Sequence, residues 1–232
     1  MSTAEIASVS SDFDIFAHKP VQSCVLWTFE TAYKPIALVD QNDLEFLIPA
    51  DKDKYKLLDI QHYVRGKLVS GSGNDVDVTD HTGVVNNLLH TLLSQCTVVL
   101  NGTTITQSGE HYNYRSYLET LLTYGADAAA THLTNAYLYR ENIDMMPCDP
   151  PTVTVTAVTN RGFITCWDRL SASKVLQLFG RLHCYLFNVP LVILPGVSLQ
   201  MRLTKALYSF YMMNMEAVTK STFKFLNAQL LV

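Results

Sequence analysis

Two β-prone runs flank an Asn-Gly dipeptide in the stretch Thr97-Val-Val-Leu-Asn-Gly-Thr-Thr-Ile-Thr106. Asparagine and glycine both tolerate a positive φ, which a two-residue hairpin turn requires. The stretch therefore predicts an antiparallel β-hairpin that turns at Asn101 and Gly102. Asn101 also begins a formal glycosylation sequon, which we interpret as turn chemistry because it coincides with the predicted hairpin.

The segments on either side of this hairpin have helical periodicity. Before it, apolar residues at helical spacing predict a helix over residues 86–94: Val85, Leu88, Leu89, Leu92 and Leu93. After it, an apolar stripe predicts a second helix over residues 111–124: Tyr114, Tyr117, Leu118, Leu121 and Leu122. Gly125 is the expected C-terminal stop of the second helix, which also carries Arg115 and Glu119 as an i, i+4 ion pair.

Alternation with period two predicts strands in much of the remaining chain. The predicted strands begin at residue 23 and recur at residues 43–49, 55–69, 152–158, 175–188, 197–204 and 223–232. Residues 70–83 are predicted to be a solvated loop, and residues 126–151 to be irregular. About eight or nine strands with two inserted helices favour a sandwich over a propeller or a βαβ fold. The predicted fold class is all-β, a jelly-roll sandwich of two antiparallel sheets with two short inserted helices.

The composition favours a protein that associates with partners. Apolar residues make up 48% of the 232 residues and charged residues only 16%. Such a chain is either unusually well buried or keeps apolar surface for partners. The net charge of −4 provides no global attraction for a polyanion, so direct sequence-specific nucleic-acid binding is disfavoured.

The cysteines and the terminal segments indicate an intracellular site of synthesis. Five cysteines are widely spaced without a CxxC pair: Cys24, Cys96, Cys148, Cys166 and Cys184. An odd, scattered set predicts buried thiols in a reducing compartment. The N-terminus lacks the pattern of a signal peptide, and the longest apolar stretches, such as residues 189–194, are too short to span a bilayer. We therefore expect a protein that is not secreted and has no membrane span.

Motifs that carry chemistry are missing from the sequence. Asp75, Asp77 and Asp80 do not have the spacing of an EF-hand and predict a solvated loop.

The seven histidines form no local chelate: His18, His62, His81, His90, His111, His132 and His183. Of these, three fall on or beside apolar faces and are interpreted as hydrogen-bonded core residues: His62, His90 and His183. Ser72 is not in a nucleophile elbow, and no nucleotide-binding motif occurs. We assign no catalytic, cofactor-binding or metal-binding residues, expect no cofactor, and predict that the chain is not an enzyme.

Three stretches, in register, resemble the major capsid proteins of Polinton (Maverick) elements and adintoviruses. The stretch Val85-Asn-Asn-Leu-Leu-His-Thr-Leu-Leu-Ser-Gln-Cys-Thr-Val-Val-Leu-Asn-Gly102 resembles their helix-into-hairpin segment, and residues 114–125 resemble the helix that follows it. Residues 180–188 through 203–205 resemble the paired late strands of their first jelly roll. The resemblance spans roughly residues 20 to 232.

The resemblance implies a place in the double jelly-roll lineage of DNA virus capsid proteins. Residues 1–20 are then a flexible N-terminal arm, and residues 21–232 are the first of an expected two jelly rolls. The implied partners are further copies in a homotrimer, neighbouring pseudo-hexagonal capsomers of an icosahedral shell, and penton and minor capsid proteins. The implied location is the virion capsid, with synthesis in the host cell cytoplasm or nucleus.

Two alternatives remain open from the residues alone. A lectin-like or host-attachment module on a jelly roll would show a shallow site with clustered Trp or Tyr and Asp or Asn, and a glycan array would detect it. Four of the twelve tyrosines lie in or beside the second helix, where packing or subunit contact is the simpler interpretation: Tyr112, Tyr114, Tyr117 and Tyr124. An enzyme of the cupin type would need a histidine cluster around one metal, which the sequence lacks.

Overall fold

The computed structural model describes residues 28–37, 39, 43–77, 82–107, 111–140, 160–188, 192–214 and 221–232. The chain divides into two units, Met1–Glu30 and Thr31–Val232, and all elements below belong to the second. The expected arm at residues 1–20 and the predicted strand at residues 152–158 lie outside the described residues. The domain boundary at residue 20 therefore stays a prediction.

Within the described ranges the chain forms twelve strands, all paired antiparallel. In chain order they are β1 Ala32–Tyr33, β2 Asp43–Ile48, β3 Lys56–Leu57, β4 Gln61–Val69, β5 Thr82–Val84, β6 Leu93–Leu100, β7 Thr103–Gln107, β8 Leu176–Arg181, β9 Val192–Ile193, β10 Leu199–Lys205, β11 Met212–Asn214 and β12 Thr222–Leu231. The same ranges hold five α-helices: α1 Leu88–Thr91, α2 Tyr112–Thr123, α3 Ala126–Ala130, α4 Arg161–Leu170 and α5 Tyr208–Tyr211. Three 3₁₀ turns complete the described elements: His132–Ala136, Ser171–Ser173 and Tyr185–Asn188.

Eight of these strands make two four-stranded sheets with a nested order of pairing. One sheet has the order β1-β12-β4-β8 and the other the order β2-β10-β6-β7, while β5–β11 and β3–β9 are small separate ribbons. Among the eight strands, the first pairs with the last, the second with the seventh, the third with the sixth and the fourth with the fifth. A long hairpin folded over into two sheets has this order, which is that of a jelly roll. The predicted fold class is confirmed.

The hairpin predicted from the Asn-Gly dipeptide is the innermost pair of this nest. Leu100 pairs with Thr103, and the two residues between them have positive φ angles of 46° at Asn101 and 79° at Gly102. These angles put both turn residues in the left-handed region, as a type I′ turn requires. The Asn101 side chain also accepts a hydrogen bond from the backbone N–H of Ser198 at 2.9 Å, which ties the turn to the residue before β10.

The core lies between the two sheets and is filled by the alternating side chains of the long strands. In β10 the predicted inward residues Leu199, Met201 and Leu203 are completely buried. The last strand, β12, keeps its apolar residues inward although their spacing changes: Phe223, Phe225, Ala228 and Leu230 are all buried. A bulge between Phe225 and Asn227 absorbs the extra residue Leu226, which is exposed. The bulge thus keeps both halves of the strand in phase with the core.

The first predicted helix is much shorter than its periodicity indicates. Instead of residues 86–94, α1 covers Leu88–Thr91, and Leu93 is already the first residue of β6. Asn87 has a φ of 63°, which ends helical geometry on the N-terminal side. On the C-terminal side, the carbonyl of Leu92 accepts a hydrogen bond from the N–H of Ala206, the residue after β10. Pairing with that segment therefore begins already at Leu92. Strand pairing, combined with the β-prone run after residue 96, therefore overrides the helical pattern.

Two of the long predicted strands are also interrupted, because the strand that each one pairs with ends or changes along its length. The strand predicted at residues 175–188 ends at Arg181, where its partner β4 begins at Gln61, and Tyr185–Asn188 is a 3₁₀ turn. The strand predicted at residues 55–69 is divided, because β3 pairs with β9 whereas β4 pairs with β8 and β12.

Several loop predictions are wrong in detail. Residues 126–151 were expected to be irregular but contain α3 and a 3₁₀ turn, and the predicted loop at 70–83 ends in β5. Gly125 has a φ of −84°, so it precedes α3 as an extended residue instead of ending α2 in a left-handed conformation. Helix α4 was not predicted. Two features of the sequence indicate this helix. The side chain of Asn160 caps it by accepting a hydrogen bond from the N–H of Phe163 at 3.3 Å. Three buried residues then follow at helical spacing: Phe163, Cys166 and Leu170.

Candidate functional site: an exposed apolar surface over a buried polar cluster

The described residues contain no group of three or more His, Cys, Asp or Glu side chains that could hold a metal ion. In the acidic loop, Asp75 accepts a hydrogen bond from Nζ of Lys67 at 2.5 Å and is engaged in an ion pair, while Asp80 lies outside the described residues. Ser72 is exposed in the adjacent turn. No helix in the described ranges is long and apolar enough to cross a membrane. The assignment of no catalytic, cofactor-binding or metal-binding residues stays a prediction.

Helix α2 is docked with its polar face inward and its apolar face outward. The residues that it buries are Tyr112, Asn113, Ser116 and Thr120. The apolar stripe found in the sequence is exposed along its whole length: Tyr114, Tyr117, Leu118, Leu121 and Leu122. Leu122 is the extreme case, with 85% of its surface accessible. The position of the helix was predicted, but the burial of its polar side was not.

The buried face of α2 is satisfied by hydrogen bonds, and the residues that follow Tyr112 on this face are small. The Ser116 hydroxyl donates to the carbonyl of Asn113 at 2.7 Å, and the Thr120 hydroxyl donates to the carbonyl of Ser116 at 2.7 Å. At the start of the helix, the Tyr112 hydroxyl accepts from the N–H of His183 at 3.2 Å and lies 3.1 Å from Nδ1 of His90. Because buried polar groups cost free energy unless they are paired, this set of contacts stabilises the inverted orientation.

A chain of ionisable groups connects this buried face to the surface. The rings of His90 and His183 meet edge to face with 4.6 Å between centroids. Nδ1 of His183 lies 2.9 Å from Oε2 of Glu119, whose other oxygen accepts from Nε of Arg115 at 2.6 Å, the predicted i, i+4 pair. Burial lowers the pKa of His90 and that of His183, although Glu119 opposes the shift at His183. Burial of Glu119 disfavours its charge, but the bonds from Arg115 and His183 outweigh this and lower its pKa.

The charge distribution leaves the exposed stripe neutral. Over the twelve residues of α2, Arg115 and Glu119 are the only charged side chains, and they are paired with each other. The outward stripe therefore consists of leucine and tyrosine side chains without a net charge.

The apolar stripe continues onto α5. The rings of Tyr114 and Phe210 contact each other edge to face at 5.3 Å, and Leu207 and Tyr208, which precede Phe210 in the chain, are exposed. We call the combined surface the α2–α5 patch, and its members are Tyr114, Tyr117, Leu118, Leu121, Leu122, Leu207 and Tyr208. All seven are large apolar or aromatic residues that remain exposed, and contiguous exposed apolar surface on a monomer marks a site of interaction.

The histidine interpretation holds for two of its three members. His90 and His183 are hydrogen-bonded as expected. For His62 the prediction of a hydrogen bond is wrong. The residue is completely buried, but neither ring nitrogen has a hydrogen-bond partner among the described residues. Its ring instead meets Phe46 edge to face at 6.2 Å. Burial without compensation lowers the pKa of His62 to about 3, so the ring is neutral at physiological pH.

The cysteine interpretation is confirmed where the structure describes it. Cys96, Cys166 and Cys184 are buried thiols outside disulfide bonds, whereas Cys24 and Cys148 lie beyond the described ranges.

No protein-family model matches the sequence, and no curated protein matches it. Among solved structures, the crystal structure of the mavirus major capsid protein is similar, with 12% identity and a TM-score of 0.48 over 100% of this chain and 50% of that chain. The cryo-EM structure of the Sputnik virophage is similar with 10% identity and a TM-score of 0.44, over 96% of this chain and 51% of that chain. The quasi-atomic model of the PBCV-1 virus capsid is similar with 13% identity and a TM-score of 0.42, over 88% of this chain and 41% of that chain. This chain spans about half the length of the solved structures that it matches.

Proposed function

We propose that this chain is a structural jelly-roll module of a major capsid protein, the first of two such modules in the double jelly-roll lineage. In this role it associates with further copies as a trimeric, pseudo-hexagonal capsomer and then with neighbouring capsomers of an icosahedral shell. Penton and minor capsid proteins are its further partners, and the virion capsid is its location. The proposed role requires no catalytic residue, metal or cofactor.

The observation that carries this proposal is the inverted α2. A helix that only covered the sandwich would gain about 25 cal/mol for each Å² of apolar area turned inward. Here the sequence forgoes that gain at the five large side chains of the stripe, and after Tyr112 the inner face buries Asn113, Ser116 and Thr120 instead. Exposed contiguous apolar area of this kind marks surfaces that are covered by a partner.

The size and charge of the α2–α5 patch suit a contact between copies of the same chain. A standard protein interface buries about 800 Å² on each partner around a core of large apolar and aromatic side chains, and the patch supplies seven such side chains. Two copies that each have a net charge of −4 repel each other weakly, so a self-association surface should be free of unpaired charge. The patch meets this requirement because Arg115 and Glu119 neutralise each other beside it.

The resemblance of three stretches to Polinton-type major capsid proteins supports the particular lineage. Two of those stretches map onto the elements that build the site: one covers α1, β6 and the Asn-Gly turn, and the other covers most of α2. The eight-stranded nested topology is the scaffold that the resemblance requires.

Sedimentation velocity on the full chain over a range of concentrations tests the proposal. The wild-type protein should form trimers or larger species, and the double variant Leu118→Glu/Leu122→Glu should shift it to monomers, because two carboxylates would be buried unpaired at the contact. Ile105→Glu, at an exposed residue on the hairpin, is the matched control and should leave the distribution unchanged. A wild-type chain that stays monomeric at about 100 µM, well above the Kd range of stable interfaces, would contradict self-association through this surface.

A further inference from the structure

Two cysteine thiols meet inside the sandwich, one from β6 and one from the segment that follows β8. Cys96 lies on β6, and Cys184 lies three residues beyond the end of β8. Both are buried, with 0% and 2% of their surfaces exposed, and their side chains are hydrogen-bonded to each other. Sγ of Cys184 also lies 3.2 Å from Oγ1 of Thr106.

The strand register places these groups together independently of the thiol contact. Thr106 on β7 is the direct partner of Val98 on β6, and Val98 is completely buried. Cys96 precedes Val98 by two residues, so it points to the same inner face and is the diagonal neighbour of Thr106. Because the sulfur of Cys184 contacts Thr106, it lies beside Cys96.

The hydrogen-bond donors around Cys184 distinguish the two sulfurs chemically. The hydrogen bond from Cys96 lowers the pKa of Cys184 to about 6, helped by Thr106, the N–H of Leu186 and the charge of Arg115, and in spite of burial. The same contact, together with burial, raises the pKa of Cys96. The lowered pKa favours the thiolate form at Cys184, and the raised pKa favours the protonated thiol at Cys96. This division matches a reactive thiol beside a resolving thiol.

We propose that Cys96 and Cys184 are a redox-active pair that closes to an intramolecular disulfide when the protein meets a small peroxide. The Cys184 thiolate attacks one oxygen of hydrogen peroxide, the O–O bond breaks, and a sulfenic acid forms. The leaving hydroxide takes up the proton that Cys184 released on ionisation and becomes the first water. The Cys96 sulfur then attacks the sulfenic sulfur and loses its proton, and the sulfenic hydroxyl leaves as water. Two thiols are oxidised by two electrons, and one peroxide is reduced to two waters.

The geometry suits this reaction and excludes bulky oxidants. Both sulfurs are buried, so the oxidant must be little larger than water, which hydrogen peroxide is. The sulfurs have only to move from hydrogen-bond contact to the bonded distance of about 2.05 Å. The new bond would join the sheet that contains β6 to the segment that leaves β8 in the other sheet, and would close a loop of roughly 90 residues.

The first test treats the purified full chain with hydrogen peroxide at pH 7 and maps its peptides without reduction. We expect a cross-linked pair containing Cys96 and Cys184, and a thermal midpoint raised by roughly 10 °C, because a loop of this length constrains the unfolded chain strongly. Cys184→Ser should abolish both effects. Cys166→Ser, at a buried cysteine in α4, is the matched control and should leave both effects in place.

A second variant protects the test against failure of Cys184→Ser to fold. Thr106→Val keeps both thiols but removes one donor to Cys184, so cross-linking at pH 7 should slow by roughly 2- to 10-fold, the value of one hydrogen bond. The proposal is overturned if the folded wild-type protein gives no link between Cys96 and Cys184, links either residue to another cysteine instead, or accumulates only sulfinic and sulfonic acids. None of these outcomes depends on assembly, so the proposal stands or falls separately from the capsid function.

Discussion

A Cβ atom on Gly66 would lie 2.4 Å from Cε1 of the Phe223 ring and 2.6 Å from the carbonyl oxygen of Lys224. Gly66 faces the core from β4 directly opposite Phe225 of β12, in the longest ladder of the described sandwich. The aromatic ring therefore occupies the space that any other residue would need for its side chain, and the two strands approach each other at this point only because residue 66 is glycine.

Gly66→Ala should lower the free energy of unfolding by about 1–3 kcal/mol, because the ring or the backbone has to shift in a packed core. Urea denaturation monitored by tryptophan fluorescence measures the change. Gly125→Ala is the matched control, since its φ is −84° and a Cβ there meets open space. It should stay within about 0.5 kcal/mol of the wild type. Equal effects of the two substitutions would contradict the steric account.

Stability should fall as the pH drops below about 6.5, the ordinary pKa of histidine. His62 has a pKa of about 3 in the folded protein, so between these values the unfolded chain binds a proton that the native chain does not. The stability contributed by neutral His62 is therefore fully present above pH 6.5 and is lost progressively towards pH 3, at up to about 1.4 kcal/mol per pH unit. His90 and His183, whose pKa values are also lowered, act in the same direction.

His62→Leu should flatten this pH dependence, because the substitution removes one of the groups that take up a proton on unfolding. Denaturation midpoints at several values between pH 4 and pH 7 measure the slope. His132→Gln, at an exposed histidine, is the matched control for the loss of an imidazole. An unchanged slope in His62→Leu would show that His62 is not neutral in the folded protein at these pH values.

The inverted orientation of α2 predicts opposite results from two substitutions on its two faces. Ser116→Leu adds two heavy atoms at a fully buried site and should destabilise the protein by about 1–3 kcal/mol. Leu122→Ser, at the most exposed residue of the stripe, should change the stability of the monomer by no more than about 0.5 kcal/mol. Thermal unfolding at low concentration measures both. A helix with ordinary amphipathic docking would give the reverse order.

The hairpin turn gives a fourth prediction. Asn101→Val places a β-branched residue at a φ of 46° and removes the hydrogen bond to Ser198, which together should cost about 2 kcal/mol. Asn101→Gly keeps the positive φ and loses only the side-chain bond, so it should cost less than half as much. Chemical denaturation of both variants checks the order, and a larger cost for glycine would contradict a left-handed residue 101.

The features that were predictable from sequence are those fixed by neighbours along the chain. The Asn-Gly turn, the alternation of Leu199, Met201 and Leu203, and the position of α2 all depend on local backbone preference or on period two or 3.6. The length of α1 was not predictable, because Ala206, more than a hundred residues later, pairs with the strand that interrupts it.

The candidate site was less accessible to sequence reasoning than the fold. A periodic apolar stripe identifies a helix but does not say whether the core or a partner covers that stripe, so the outward face of α2 required the structure. The contact of Cys96 with Cys184 depends on how two sheets stack and has no local signal. For α4, the signal was present: Asn160 as a cap and Phe163, Cys166 and Leu170 at helical spacing.

The nested pairing of the eight strands also orders the steps by which the chain can fold. The β6–β7 pair joins residues that are almost adjacent, whereas β1 pairs with β12 across nearly the whole unit, with Ala32 opposite Leu231. Loop-closure entropy grows with the separation of the paired residues, and chains dominated by distant contacts fold slowly. If the inner pairs form first, each one shortens the loop that the next must close. The Asn101–Gly102 turn is then the natural nucleus, and the closing β1–β12 pair is the last to gain native protection against hydrogen exchange.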